Sequence, residues 1–415
     1  MKYTINRPLY FLASKIVGIP VKLQFNLETA ENATFADGPA IILVNHESNT
    51  DWLITAYLLR KGNIRFIVGR YHFRNPIKRK LFPMLGCLPK EQFYPDAHSI
   101  KTIMRIVGNN GRVVLFPSGQ SSYSGEGTYI PFETAKLIKR LAIPVYYVRI
   151  DGTHLAFPKW DMKKIRKHKI LASFNYLFSP EDTKALDETE IYEKILASLY
   201  FDDYEWQRAH MIPAGVRGVA GLDHILYMCP VCKAEFLINA DANALSCSNC
   251  GLTVAMDTYG FLSSENTGFT FDTPTKWYRW QYREEALQSQ AEIGRHFSVG
   301  AKLEILGIDN KDTETREGML SFSDGILEFQ ENGSTHPAFR ENVKYSPILF
   351  QHESIDYFEL LHQNKIYRFI PESKGAATKF VIIKELCYLI GKRDTAKDPR
   401  VQKVFEKLIN KEYIY

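Results

Sequence analysis

Two sets of residues in this 415-residue chain have types and spacings that chemistry can use. In Asn45-His46-Glu47-Ser48-Asn49-Thr50-Asp51, a histidine precedes an aspartate by five positions. A reaction that begins by deprotonating a hydroxyl requires a base for the proton and a group that fixes the base's tautomer. His46 supplies the first and Asp51 the second, because a loop residue followed by the first turn of a helix lets their side chains converge. Taken alone, this spacing more often marks a surface histidine beside a helix-start aspartate. The second set is Cys229, Cys232, Cys247 and Cys250, two Cys-x-x-Cys pairs separated by fourteen residues. That pattern predicts a zinc ribbon in which four thiolates close the coordination sphere, leaving no position for water, so the zinc is structural.

The elements around the first set place it. Gly38-Pro39 precedes the apolar run Ala40 to Val44, which reads as a buried strand, so His46 falls just past a strand end. A helix over 49–59 follows, with Asn49 or Thr50 as its cap. Further strands are predicted over 65–68, 112–116 and 144–150, and helices over 77–84, 99–107 and 132–141. This alternation defines an α/β domain with a mostly parallel sheet, whose ligands bind at the carboxyl ends of strands. His46 and the turn Pro117-Ser118-Gly119 both lie at such ends.

In that context Asn45-His46-x-x-x-x-Asp51, about 70 residues before Phe116-Pro117-Ser118-Gly119, resembles the PlsC family of 1-acylglycerol-3-phosphate acyltransferases, with its NHxxxxD and FPEGTRS blocks. Gly86-Cys87-Leu88-Pro89-Lys90-Glu91-Gln92 is similar to the family's second block, and Ile143-Pro144-Val145 to its fourth. The likeness covers about residues 1–210. It implies that His46, oriented by Asp51, deprotonates an acceptor hydroxyl, which attacks an acyl-CoA or acyl carrier protein thioester without an acyl-enzyme intermediate. It also implies substrate contacts from Asn45, Gly86, Lys90, Gln92, Phe116, Pro117, Ser118, Gly119 and Ser121, with Gly119 shaping the turn that holds the acceptor head group.

Two departures bear on the acceptor. The family has Glu after Phe-Pro and Arg two residues after the Gly, where this chain has Ser118 and Ser121, and the second block ends in Gln92 instead of Arg. Guanidinium forks suit a phosphate, and these are missing together. The acceptor is therefore expected either to lack a terminal phosphate monoester or to use other cations, such as Lys90, Arg70 or Arg74.

Composition sets the frame. With 45% apolar residues the chain is globular, and its length predicts several domains. The expected division is an acyltransferase domain at 1–210, a zinc ribbon at 211–265, a helical connector at 266–300, and a β-rich (α+β) module with C-terminal helices at 301–415. Within 301–415, strands are predicted over 302–308, 319–329 with an Asp324-Gly325 turn, 355–361 and 366–370, with Asn364 between the last two. That architecture is similar to a pleckstrin-homology or GRAM module, though Tyr357, Phe358, Tyr367 and Phe369 read as core.

Charge is uneven. Residues 60–80 hold eight Lys or Arg and no acid, 159–169 hold six against one Asp, and 181–205 hold nine acids against two lysines. The acidic stretch predicts a solvated helix closing the first domain. Either basic block is ordinary surface or meets anionic lipid, and the stretch from Pro8 to Val17 is an amphipathic helix that lies in a membrane interface or packs on its own core. No uninterrupted apolar run reaches about 18 residues, so a spanning helix is not expected. The ribbon carries only Lys233, Glu235 and Asp241 between its outer cysteines, a poor match for nucleic acid. The expected setting is the cytoplasm, with the protein peripheral on the inner face of the membrane and partnered by a membrane surface and a lipid acceptor. A second function class, a catalytically degenerate lipid-binding or adaptor protein organised by the ribbon, stays open at this level, as does the oligomeric state.

Overall fold

The computed structural model describes residues 7–90, 97–161, 165–213, 218–291, 296–307, 313–343, 354–363 and 365–412. Gln92, Asn364 and part of the connector expected after Ala214 lie outside these residues. The chain divides into two compact units, meeting at residues 215 and 216.

The first unit is built on seven strands: β1 (Asn26–Glu31), β2 (Ala40–Val44), β3 (Ile64–Gly69), β4 (Cys87–Lys90), β5 (Arg112–Leu115), β6 (Val145–Asp151) and β7 (Lys169–Phe178). Their order is β1-β7-β6-β2-β5-β3-β4, parallel throughout except for the β6–β7 pair. The mostly parallel sheet is as expected. β2 occupies its centre, every residue buried, because continuous Ala-Ile-Ile-Leu-Val suits a strand covered on both faces. Val21, Phe25, Ile54, Leu58 and Phe174 pack with β2 and β6 in one apolar core.

Several expectations change in this unit. The N-terminal helix runs from Arg7 to Gln24, longer than the predicted stretch. It packs Val21 into the core and leaves Phe11, Leu12, Ile16, Ile19 and Leu23 more than half exposed. The acidic stretch is three helices, Pro180–Ala185, Glu188–Leu199 and Asp203–His210. It is not simply solvated, since Ile191, Tyr192, Ile195 and Asp203 are fully buried. The second basic block is partly interior: Lys159 and Arg166 are buried, Arg166 pairing with Asp161 at 2.6 Å, while Lys167 is exposed.

The second unit contains a four-stranded antiparallel sheet, Ile238–Ala240, Ala244–Cys247, Thr253–Met256 and Leu262–Ser263, next to the cysteines. A six-stranded antiparallel sheet spans His296 to Pro371, and helices Ala376–Thr395 and Pro399–Ile409 follow. Asp324 and Gly325 both have positive φ, 50° and 77°, at the turn of its second hairpin. Phe358 and Phe369 are core, as their pattern predicts.

The helix expected as a connector, Pro274–Ala291, is instead packed interior. Trp277 is fully buried and its Nε1 donates to the Met228 carbonyl at 2.9 Å, while the Tyr227 hydroxyl donates to Glu285 at 3.0 Å. Thr273 caps it, accepting from the Lys276 N–H at 3.1 Å. The cysteine region is thereby fastened to this helix, and Lys379 reaches it from the penultimate helix, 2.6 Å from Glu235.

Candidate active site

β2 ends at Val44, and the next six residues turn sharply into the helix Asp51–Leu58. Asn45 fixes the exit: its side-chain Nδ2 donates to the Ile150 carbonyl at 2.6 Å and its Oδ1 accepts the Ile150 N–H at 2.8 Å. The side chain is buried, 3% exposed, so Asn45 clamps the ends of β2 and β6 together. Thr50 stands at the helix cap without a capping bond; its hydroxyl pairs with Ser48 Oγ at 2.7 Å. The loop's N–H groups turn to Asp51 instead.

Asp51 is completely buried. Its Oδ2 lies 2.8 Å from His46 Nδ1 and accepts the N–H groups of Glu47 at 2.6 Å and Ser48 at 2.9 Å. Its Oδ1 accepts from the Thr153 hydroxyl at 2.6 Å. A buried carboxylate needs such compensation, and each charge-assisted hydrogen bond contributes about 1.5–3 kcal/mol. The position, in the first turn of a helix, also favours negative charge. With Nδ1 facing Asp51, the other ring nitrogen, Nε2, points away from the carboxylate, and the side chain retains 19% exposure.

The other side of the site is the loop after β5. Phe116 packs its ring 4.8 Å from the His46 ring, and the Ser122 N–H donates to the His46 carbonyl at 3.1 Å. Gly119 has φ +71° and its N–H donates to Phe116 O at 3.0 Å, so it does form the tight turn after Pro117. Ser118 and Ser121 are buried, and their hydroxyls donate to Gln120 O at 3.1 Å and Asn49 Oδ1 at 3.2 Å. In this geometry both hydroxyls hold the loop. Gly86 has φ +81° at the start of the second block, and Lys90 ends β4, exposed.

Sequence reasoning missed four residues here. Thr153 and Glu47 complete the surroundings of Asp51, Asp203 lies behind them, and Lys159 sits with its Nζ 4.3 Å over the Tyr123 ring. Burial pushes the Lys159 ammonium down to about 7. Glu47 lies inside the block itself, at one of its variable positions; the other three have no local signal.

In the second unit the four cysteine sulfurs lie within 4.8 Å of one another. Cys229 and Cys250 are 3.7 Å apart and Cys232 and Cys247 3.8 Å, well beyond the 2.05 Å or so of a disulfide. Each pair forms a tight turn: Lys233, at φ +58°, donates to Cys229 O, and Gly251, at φ +75°, donates to Cys247 O, both at 2.9 Å.

Residues 24–151 match the family model described as Acyltransferase. A 1-acyl-sn-glycerol-3-phosphate acyltransferase of Cocos nucifera is 26% identical over 194 residues, which cover 45% of this chain and 61% of that protein. The chain thus spans about three-fifths of the length of the curated relative it matches. The crystal structure of the lysophosphatidic acid acyltransferase PlsC from Thermotoga maritima aligns over 46% of this chain and 78% of that one, at 16% identity and a TM-score of 0.38. Residues 24–151 form an acyltransferase-family domain of the PlsC type, and the His46–Asp51 pair lies inside it.

Proposed function

We propose that the first unit transfers a fatty acyl group from an acyl thioester, acyl-CoA or acyl carrier protein, to a hydroxyl of a lyso-lipid or related acceptor. The observation that carries this is the 2.8 Å His46–Asp51 pair, with Asp51 held by two backbone N–H groups and a threonine hydroxyl. In this reading His46 Nε2 takes the acceptor's hydroxyl proton, the oxygen attacks the thioester carbonyl, and the carbon–sulfur bond breaks. The departing thiolate recovers the proton from the imidazolium, which Asp51 stabilises meanwhile. A degenerate lipid-binding or adaptor protein gains nothing from a histidine oriented in this way, which disfavours that alternative.

The acceptor follows from the loop after β5. Ser118 and Ser121 are neutral and engaged within the loop, so that loop lacks the guanidinium a phosphate monoester would use. We therefore favour a neutral or zwitterionic lyso-lipid or another alcohol over lysophosphatidic acid.

For the four cysteines we propose a structural zinc ion. Zinc about 2.3 Å from each of four tetrahedral sulfurs sets sulfur–sulfur edges of about 3.8 Å, which matches the 3.7 and 3.8 Å here. The cysteine region is tied to Trp277, Glu285 and Lys379, which supports a bracing role within its own unit.

We also propose that the protein works on the inner, cytoplasmic face of a membrane. Among the described residues no helix is long and apolar enough to cross one. The exposed Phe11, Leu12, Ile16, Ile19 and Leu23 give the N-terminal helix an apolar face for the acyl boundary. Ile77 at 71% exposure, beside Lys78, Arg79 and Lys80 on the helix Pro76–Met84, adds an apolar contact ringed by cations.

Three outcomes are expected. In an acyl-CoA assay over a panel of acceptors, turnover on a neutral or zwitterionic acceptor should exceed that on lysophosphatidic acid, and His46→Ala should lower it about 10²–10⁴-fold; activity that survives the substitution ends the mechanism. Elemental analysis should find one zinc per chain, lost in Cys232→Ser along with thermal stability, and unchanged zinc in that variant refutes the cage. Co-sedimentation with liposomes should rise with anionic lipid and drop in Leu12→Glu/Ile16→Glu, whereas binding indifferent to both would remove the membrane proposal.

A further inference from the structure

Behind the His46–Asp51 pair lies a set of carboxyl groups that the transfer step itself does not use. Glu47 is fully buried, and its carboxyl oxygens lie close to those of Asp151 and Asp203, all within 4.8 Å of one another. Three of the four carboxyls here have evident compensation. Asp151 is paired with Arg149 at 2.7 Å, Asp51 has the four donors described above, and Asp203 accepts the N–H groups of Gly152 at 3.0 Å, His154 at 3.0 Å and Leu155 at 3.4 Å.

Glu47 differs. Its Oε1 accepts from Asn45 Nδ2 at 3.1 Å and its Oε2 from the Thr153 N–H at 2.9 Å, both neutral donors. No cation among the described residues is bonded to it. Four buried carboxylates beside one guanidinium is a charge excess that a low-dielectric interior does not hold, so a proton must reside on one of them.

The Thr153 hydroxyl narrows the choice to Glu47 or Asp51, and Asp51 already has two backbone N–H groups and His46 to hold it as the anion. Its Oγ1 is 2.6 Å from Asp51 Oδ1 and 2.9 Å from Glu47 Oε2, and it has one proton for two carboxyl oxygens. The shorter contact is the one to Asp51. The longer contact is a hydrogen bond only if the proton comes from Glu47, with Thr153 Oγ1 as the acceptor.

We propose that Glu47 is held as the neutral acid and donates to Thr153 Oγ1, so that the threonine's single proton is aimed at Asp51, making Glu47 and Thr153 positioning residues for the His46–Asp51 pair. Burial is the largest influence on Glu47 and raises its carboxyl well above the usual range, with Asp203, Asp151 and Asp51 adding to it and Arg149 opposing. Asp203, raised to about 7 mainly by burial, belongs to the same set, but the N–H groups of Gly152 and Leu155 and the neighbouring Glu47 carboxyl favour the charged form there. The groups facing Glu47 are Asp51 from the helix after the loop, Arg149 and Asp151 from β6, His154 from the turn after β6, and Asp203 from the last helix of the unit. His154 is neutral, pushed down to about 3 by burial with Arg166 adding to it.

The local fold enforces the arrangement. Gly152 has φ +95°, and a Cβ there would come within 2.4 Å of the Lys169 carbonyl. Only glycine makes this turn, and the turn brings the Thr153 N–H and hydroxyl back to Glu47 and Asp51.

The proton assignment does not depend on catalysis; its kinetic consequence rests on the acyl-transfer reading. The experiment compares the full-length chain with Glu47→Gln in thermal unfolding from pH 5 to 9. A glutamate protonated in the folded state and ionised in the unfolded one makes the folded state bind more protons, so wild-type stability falls as pH rises above its ordinary value of about 4.3 toward its folded value. The glutamine of the variant does not titrate. The melting temperature of Glu47→Gln relative to wild type should therefore climb with pH, and a difference that stays constant across the range overturns the assignment. Stabilisation by added magnesium that Glu47→Gln abolishes would also overturn it, because the same oxygens would then serve a cation.

For the kinetic part, Thr153→Val should lower kcat about 10- to 100-fold with KM unchanged, the worth of one hydrogen bond to a charged group, and Thr153→Ser should restore it. Wild-type kcat should fall at alkaline pH by a similar factor and Glu47→Gln should not, whereas identical alkaline limbs in the two proteins would overturn the link to Asp51. If no acceptor is turned over by the wild type, the acyl-transfer reading fails, and the unfolding series still decides where the proton is.

Discussion

The carboxylate of Asp51 is the point on which the first unit's chemistry depends. It is a charge with no solvent access, kept in place by donors from three stretches of chain: His46 at the strand exit, the Glu47 and Ser48 amides in the loop, and Thr153 after β6. Losing any one of them leaves a buried anion under-compensated, which is costly. The packing of the unit serves to keep those three stretches together. β2 and β6 are hydrogen-bonded neighbours at the centre of the sheet, and Asn45 ties their ends through Ile150.

That arrangement separates the task of the reaction from the choice of acceptor. His46 is oriented from within by the buried Asp51, and its ring meets the loop that follows β5 at Phe116. This loop meets the histidine through the Ser122–His46 backbone bond and the Phe116 ring. Its serines close on the loop's own carbonyl and on Asn49, and neither hydroxyl bonds to Asp51. The acyltransferase-family domain thus holds the His46–Asp51 pair beside a loop whose positions 118 and 121 are both serine.

Much of this was legible in the sequence where the signal is local. The five apolar residues of β2, the five-residue step from His46 to Asp51, and the two cysteine pairs each need only neighbouring residues to be read, and the structure brings each set together. What was not legible comes from distant chain. β7 pairs antiparallel with β6, and its half-polar pattern Lys-Ile-Leu-Ala-Ser-Phe-Asn-Tyr-Leu-Phe gave no clear strand signal. The clamp made by Asn45 was not legible because its partner, Ile150, is more than one hundred residues away. Asp203 sat in an acidic run that reads as solvated surface, yet three backbone N–H groups after β6 draw it inside. Lys159 and Arg166 looked like a surface patch for the same reason: a charge count along the chain does not reveal which cations are buried against Tyr123, Trp160 or Asp161.

The most direct test of the account is the tautomer of His46. Nitrogen NMR on the full-length chain with labelled histidine, assigned by loss of the signal in His46→Ala, reports which ring nitrogen carries the proton at neutral pH. The account predicts Nδ1–H, with a downfield Nδ1 proton held by Asp51 and Nε2 left as the base. An Nε2–H tautomer, or an imidazole exchanging freely between the two forms, would contradict it.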